Sequence, residues 1–170
     1  MNDLALFHRF RTAARPHDAW REHLTPFDRQ QTGCNLHLAI FTEPYLTLLL
    51  QGHKTVESRF SQRRCVPFGR VAKGDLIVLK RTGGPIVGLC RVRKVWSYKL
   101  TPHRLHLIQR RFSRRLGVQD DSFWAARRSS AYATLIAIEG VTALPAIRLA
   151  KRDRRGWVTL CGTTKPPCRP

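Results

Sequence analysis

The sequence predicts an α+β fold: a small β-barrel of five or six strands flanked by short helices, with a basic helical N-terminal arm. Three observations carry this. Short runs rich in aliphatic and β-branched residues recur between turn signals, as at 75–81 and 86–98. One strong helical stripe, Leu105, Ile108, Phe112 and Leu116, lies between the strand runs. A charged cluster, Gly52-His53-Lys54-Thr55-Val56-Glu57-Ser58-Arg59, sits where an apolar helical segment gives way to a strand, a junction where chains often build a cleft.

In chain order, Leu4, Leu6, Phe7 and Phe10 mark the apolar side of a first helix, and His8, Arg9 and Arg11 its polar side. Pro16 and Pro26 interrupt, and Gln30-Gln31-Thr32-Gly33 reads as a linker. Residues 1–34 therefore form a basic extension, expected to dock partly on the body through Trp20 and Leu24. The body, 35–162, opens with a strand at 37–41. Thr42 is placed to cap a helix over 45–50, and Pro44 suits its opening turn, where a missing N–H does no harm. Gly52 supplies the turn that ends this helix, and Thr55 and Val56 begin the motif strand.

A basic loop over 63–74, punctuated by Pro67, Gly69 and Gly74, leads to a strand at 75–81. The turn Thr82-Gly83-Gly84-Pro85 and a longer strand at 86–98 follow. Thr101 then caps a helix with Pro102 in its first turn and the Leu105 stripe inside. A second short helix spans 122–128 with Phe123 and Trp124, and strands are expected at 132–138, 145–149 and 157–160. The tail, 163–170, holds three prolines and is expected to be flexible.

Thirty-one basic residues face eleven acidic ones, a net charge of +20, with arginine outnumbering lysine 24 to 7. Such a field attracts polyanions, and arginine forks onto phosphate and stacks on bases better than lysine. Nucleic acid is the leading partner class. An anionic membrane ranks far behind, because no segment pairs a basic face with a broad apolar one. No apolar run approaches the ~20 residues that span a bilayer, and the N-terminus lacks the pattern of a secretory signal, so a cytoplasmic location is expected. Cys34, Cys65, Cys90, Cys161 and Cys168 are odd in number and scattered, which argues against a disulfide framework or a structural zinc site. His103 and His106 share a helix face without further ligands nearby in sequence; no metal or cofactor is expected.

The cluster at 52–59 resembles the signature Gly-x-Lys-x-x-Glu-x-Arg of the ASCH family, a branch of the PUA-like fold. The likeness extends upstream through Phe41, Glu43, Pro44, Tyr45 and the leucine run. Downstream it continues through Lys73-Gly74-Asp75-Leu76-Ile77 and Val87-Gly88-Leu89-Cys90-Arg91-Val92. It covers roughly residues 36–95, with a weaker tail at 132–158. The resemblance implies a PUA-like barrel and, by analogy with PUA domains, RNA binding.

Lys54 is the leading site residue: an ammonium for a phosphate or base edge, or, if desolvated, a base. Glu57 and Arg59 fall on one strand face and can meet; the arginine either clamps a ligand or only orients the carboxylate. Tyr45 can stack a base or assist chemistry, while Trp96 and Trp124 read as packing. Arg63, Arg64, Arg110, Arg111, Arg114, Arg115, Arg127 and Arg128 offer a phosphate track if they converge on the Lys54 mouth, and Arg152, Arg154 and Arg155 mark a basic turn before the last strand.

The sequence thus favours RNA, or other single-stranded nucleic acid, as partner; protein partners are not legible. A ribonuclease built on Lys54 and Tyr45, with Ser129 or Ser130 as an added hydroxyl, is the alternative. A third, lower-ranked class is a non-catalytic coregulator module. ASCH-like amidohydrolases acting on modified cytidine carry a threonine where this chain has Glu57, and they need a distant glutamate; none lies between Glu57 and Glu139. That activity is disfavoured.

Overall fold

The computed structural model describes residues 3–28, 33–150 and 154–161. The N-terminal arm forms α1 (Asp3–Ala14) and α2 (Asp18–Asp28). Leu6, Phe7, Phe10, Trp20, Leu24 and Phe27 turn inward and pack on Leu36, Leu38, Val78, Ile86, Leu89 and Ile147 of the sheet. Trp20 is fully buried, its ring edge-on to Phe10, and its indole N–H donates to the Pro145 carbonyl at 2.8 Å. Burying a large apolar side chain is worth about 1.5–3 kcal/mol, so six of them tie the arm to the body.

The body contains β1 (Leu36–Phe41), α3 (Tyr45–Leu50), β2 (Val56–Ser61), β3 (Leu76–Arg81) and β4 (Ile86–Lys99), then α4 (Pro102–Leu116), α5 (Ser122–Ala125), β5 (Tyr132–Ile147) and β6 (Trp157–Cys161). One mixed six-stranded sheet runs in the order β2-β5-β4-β3-β1-β6 and curls into a half-barrel, the α+β arrangement expected. Among the described residues, only β1 and β3 pair in parallel. Inside the curl, Ala39, Phe41, Ile77, Leu79, Val92, Ile136 and Trp157 pack with Leu46 and Leu49 of α3. Outside it, Leu105, Ile108, Phe112 and Leu116 of α4 cover Val56, Ala133 and Leu135.

A buried polar cluster ties three strands together. His37 donates or accepts at both ring nitrogens, 3.0 Å from Asp75 and 3.2 Å from the Thr159 hydroxyl. Burial alone would raise the Asp75 pKa; hydrogen bonds from His37 and from the Asn35 and Ala72 N–H groups overcome it and hold the carboxyl below its ordinary range.

Three elements differ from the sequence expectation. β5 is one strand from Tyr132 to Ile147 rather than two, because bulges in its pairing with β4 absorb Gly140 and let the ladder continue. Thr42 does not cap α3; Pro44 stands at its N-cap, and the Glu43 carboxylate accepts from the Thr47 N–H instead. The second short helix stops at Ala125, and turn-type hydrogen bonds carry the chain on to Ser130. Thr101 caps α4 as expected, accepting from the Arg104 N–H. Residues 30–32 of the linker, Arg152 and the tail 163–170 lie outside the described residues.

Candidate functional site

Lys54 is held from both sides by helix ends. The short segment from Gly52 to Thr55 leaves α3 through Gly52, whose φ of +78° favours glycine. Lys54 N–H donates to Leu48 at the end of α3, and Thr55 N–H donates to Arg115 at the end of α4. Gly117 closes α4 with φ +71°, and a Cβ there would stand 2.9 Å from Leu48, so α3 and α4 meet end to end at a glycine. This geometry aims the Lys54 side chain at the last α4 carbonyls, and Nζ donates to Leu116 O at 3.0 Å.

A buried ionic chain grows from that ammonium. Lys54 Nζ lies 3.3 Å from Glu57 Oε2, and Glu57 Oε1 lies 2.9 Å from Arg59 Nε. Lys54 and Glu57 are 3% and 6% exposed, so both charges are withdrawn from bulk water. Desolvation lowers the Lys54 pKa below its ordinary value; Glu57 pulls it back up, while Arg59 and Arg127 push it down again. The Tyr45 ring centroid stands 5.3 Å from Nζ and gives the ammonium an aromatic face.

Arg59 reaches further than its pairing with Glu57. Its guanidinium donates to Ile40 O at 2.8 Å and to Gly156 O at 3.3 Å, and stacks over the Phe41 and Trp157 rings. β2 and β6 are the two edges of the sheet, so this side chain bridges the seam of the half-barrel from β2 to β1 and the start of β6. Arg59 thereby holds the seam as well as pairing with Glu57.

Above the chain opens a cleft of about 460 Å³, lined by Tyr45, Lys54, Glu57, Ser58, Arg59, Phe60, Phe123, Arg127 and Ser130, with Thr42 and Phe41 at one side. Arg127 comes from the turn after α5. Its guanidinium lies 3.4 Å from the Phe123 ring centroid and 5.5 Å from that of Phe60, and Nη1 donates to Phe123 O. Three cations therefore face one carboxylate among four aromatic rings. That combination suits an anionic group joined to a flat one.

Of the sequence candidates, Tyr45, Lys54, Glu57, Arg59, Arg127 and Ser130 line this cleft, and Arg63, Arg64, Arg114, Arg115 and Arg128 do not. Arg63 and Arg64 lie in the exposed loop after β2, with Arg64 over the Phe68 ring. Arg114 and Arg115 belong to the last turn of α4, Arg128 and Ser129 face solvent, and Arg155 pairs with Asp3 at 2.7 Å. Phe60 and Phe123 are cleft walls that the sequence reading did not single out. The spacing of Phe123 and Arg127, four residues apart, is the one signal that could have joined ring to cation. Among the described residues, no group of three His, Cys, Asp or Glu is placed to hold a metal ion, and no helix is long and apolar enough to cross a membrane.

Comparison with known proteins agrees with this architecture. The structure of an ASCH protein from Zymomonas mobilis superimposes with a TM-score of 0.60 at 14% identity, covering 75% of this chain and 88% of that one. Two single-residue variants of the same Zymomonas mobilis protein match similarly, with TM-scores of 0.58 and 0.60 at 14% identity. They cover 75% and 76% of this chain and 91% and 90% of theirs. No curated protein matches the sequence. These likenesses define a barrel-like fold of the ASCH type. The family model of the ASCH domain matches residues 40–145, and the chain belongs to that family.

Proposed function

We propose that this protein binds RNA and that the Lys54 cleft receives a nucleotide of a single-stranded segment. The observation that carries the reading is the cleft's composition: Lys54, Arg59 and Arg127 against Glu57 alone, between the rings of Tyr45, Phe60 and Phe123. Phosphate is drawn to the cationic surplus, and a base finds aromatic faces, each stack being worth about 1–3 kcal/mol. Single-stranded RNA offers unstacked bases to such a cleft, which a duplex does not. The net charge of +20 and the family, whose members are generally thought to bind RNA, support the same partner.

Ultraviolet crosslinking to a short single-stranded RNA, followed by peptide mapping, tests this reading. Adducts on peptides carrying Tyr45, Phe60 or Phe123 are expected. Adducts confined to other peptides would overturn the cleft as the binding site.

A second reading, ribonuclease activity, is favoured by the depressed pKa of Lys54 beside the Tyr45 and Ser130 hydroxyls in one cleft. A neutral amine can take the proton of a ribose 2′-hydroxyl as its oxygen attacks the adjacent phosphorus. The 5′-oxygen then leaves with a proton from a cleft hydroxyl, giving a 2′,3′-cyclic phosphate. Turnover of RNA by the wild type that Lys54→Ala abolishes is the expected sign, and turnover unaffected by that change would exclude cleavage here. The deacylase reading gains nothing: Glu139 lies beside Arg91 in a separate cavity lined by His23 and Thr142.

A further inference from the structure

The chain holds a second cationic surface that the cleft does not use. From residue 76 to residue 119 there are eleven lysines and arginines and not one aspartate or glutamate. This segment is β3, β4 and α4. On α4, Arg104, Arg111 and Arg115 recur at spacings of seven and four, which places them on one flank of the helix. The Arg104 guanidinium donates to Lys99 O at the end of β4, and Arg115 stacks over Trp96, so this flank faces β4. Gln109, on the opposite flank, donates to Asp121 just before α5, whose Phe123 walls the cleft. Ridge and cleft thus lie on opposite sides of α4.

The ridge is built rather than merely charged. Lys94 Nζ stands 5.2 Å from the Trp96 ring centroid, and Arg115 lies 5.8 Å from the same ring and 5.7 Å from Phe112. Arg111 lies 5.4 Å from Phe112, and the two rings meet edge-on at 5.2 Å. The aromatics hold the cations in place, and cations cover them, which leaves the ridge suited to phosphates and unsuited to stacking bases. Among the described residues no carboxylate forms an ion pair with Lys94, Arg111 or Arg115. From Arg104 to Arg115 the flank extends about 16 Å at the ~1.5 Å rise of a helix. That length spans several consecutive phosphates of one duplex strand.

We propose that the α4–β4 ridge binds the phosphate backbone of a duplex RNA stem adjoining the single-stranded nucleotide held in the cleft. The substrate class is then an RNA in which a stem meets a single-stranded tail or loop, laid across the cationic outer face of α4. The proposal rests on the RNA reading of the cleft and adds a second, independently removable contact.

The test uses the full chain and three probes: a hairpin RNA with a single-stranded tail, the tail sequence alone as a tetranucleotide, and vesicles containing phosphatidylserine. In the variant Lys94→Gln/Arg111→Gln/Arg115→Gln, tailed-hairpin affinity is expected to fall at least tenfold. The slope of log affinity against log salt is expected to shrink by about two to three, since each lost phosphate contact removes somewhat under one, ~0.9 for a B-DNA duplex. Tetranucleotide binding and the thermal melt should stay as in the wild type. Lys94→Arg/Arg111→Lys/Arg115→Lys should restore hairpin binding. Unchanged hairpin affinity and slope would overturn the proposal. So would equal losses for hairpin and tetranucleotide, or a loss confined to the vesicles. Failure of the cleft reading looks different: the tetranucleotide does not bind the wild type, while the ridge variant still weakens the hairpin.

Discussion

The cleft and the α4–β4 ridge use the same side chains in opposite states. In the cleft, Lys54 and Glu57 are withdrawn from water, Arg59 is half-buried, and fixed partners hold all three, down to backbone carbonyls of Ile40, Leu116 and Gly156. On the ridge, Lys94 and Arg111 are exposed, and among the described residues neither pairs with a carboxylate. A buried charge network is costly to break, responds little to salt and fixes geometry. An exposed array costs little to alter, is strongly screened and adds affinity. The comparison separates two jobs that net charge alone would merge: under the proposals above, the cleft selects and the ridge attracts.

The largest effect that can break this comparison is on stability. Glu57→Gln removes the single carboxylate between Lys54 and Arg59 and leaves the buried Lys54 ammonium facing the half-buried Arg59 guanidinium without a counter-charge. Breaking a buried pair in this way costs about 3–5 kcal/mol, and urea unfolding should show a loss of that size. A loss below ~1 kcal/mol would mean that the network is no more buried in effect than the ridge. Arg59→Lys comes next. A lysine ammonium cannot reach Glu57, Ile40 O and Gly156 O together, so the seam between β2 and β6 loosens by about 2 kcal/mol. Hydrogen exchange should quicken in β6 before it does in β4.

A third prediction concerns pH. The Lys54 pKa is depressed in the folded protein, so the ammonium that attracts phosphate is present below that value and lost as pH rises through it. Affinity for a short single-stranded RNA should therefore begin to fall at a pH below the ordinary lysine value of 10.5. Lys54→Met should remove this pH dependence and bind more weakly at neutral pH.

Much of this was legible in the sequence. Thr101, Pro102 and the stripe from Leu105 to Leu116 gave α4 its start and its buried face, and the cluster at 52–59 marked the helix-to-strand junction where the cleft opens. What could not be read was long-range. The partners of Lys54 and Arg59 that matter most are the carbonyls of Leu116, Ile40 and Gly156, and a backbone carbonyl has no sequence signature. Gly140 and Pro145 look like strand ends, yet bulges against β4 carry β5 through them. Adjacent arginines were indistinguishable too: Arg127 turns into the cleft over Phe123, whereas Arg128 faces solvent, a choice set by where the turn after α5 ends.

That last pair supplies the most direct test of the central claim that geometry at the cleft, and not net charge, binds the RNA. Arg127→Gln and Arg128→Gln remove the same charge one residue apart. Fluorescence anisotropy with a labelled tetranucleotide should show at least a tenfold loss, about 1.4 kcal/mol, for Arg127→Gln and less than about twofold for Arg128→Gln. Equal losses for the two variants would contradict the claim.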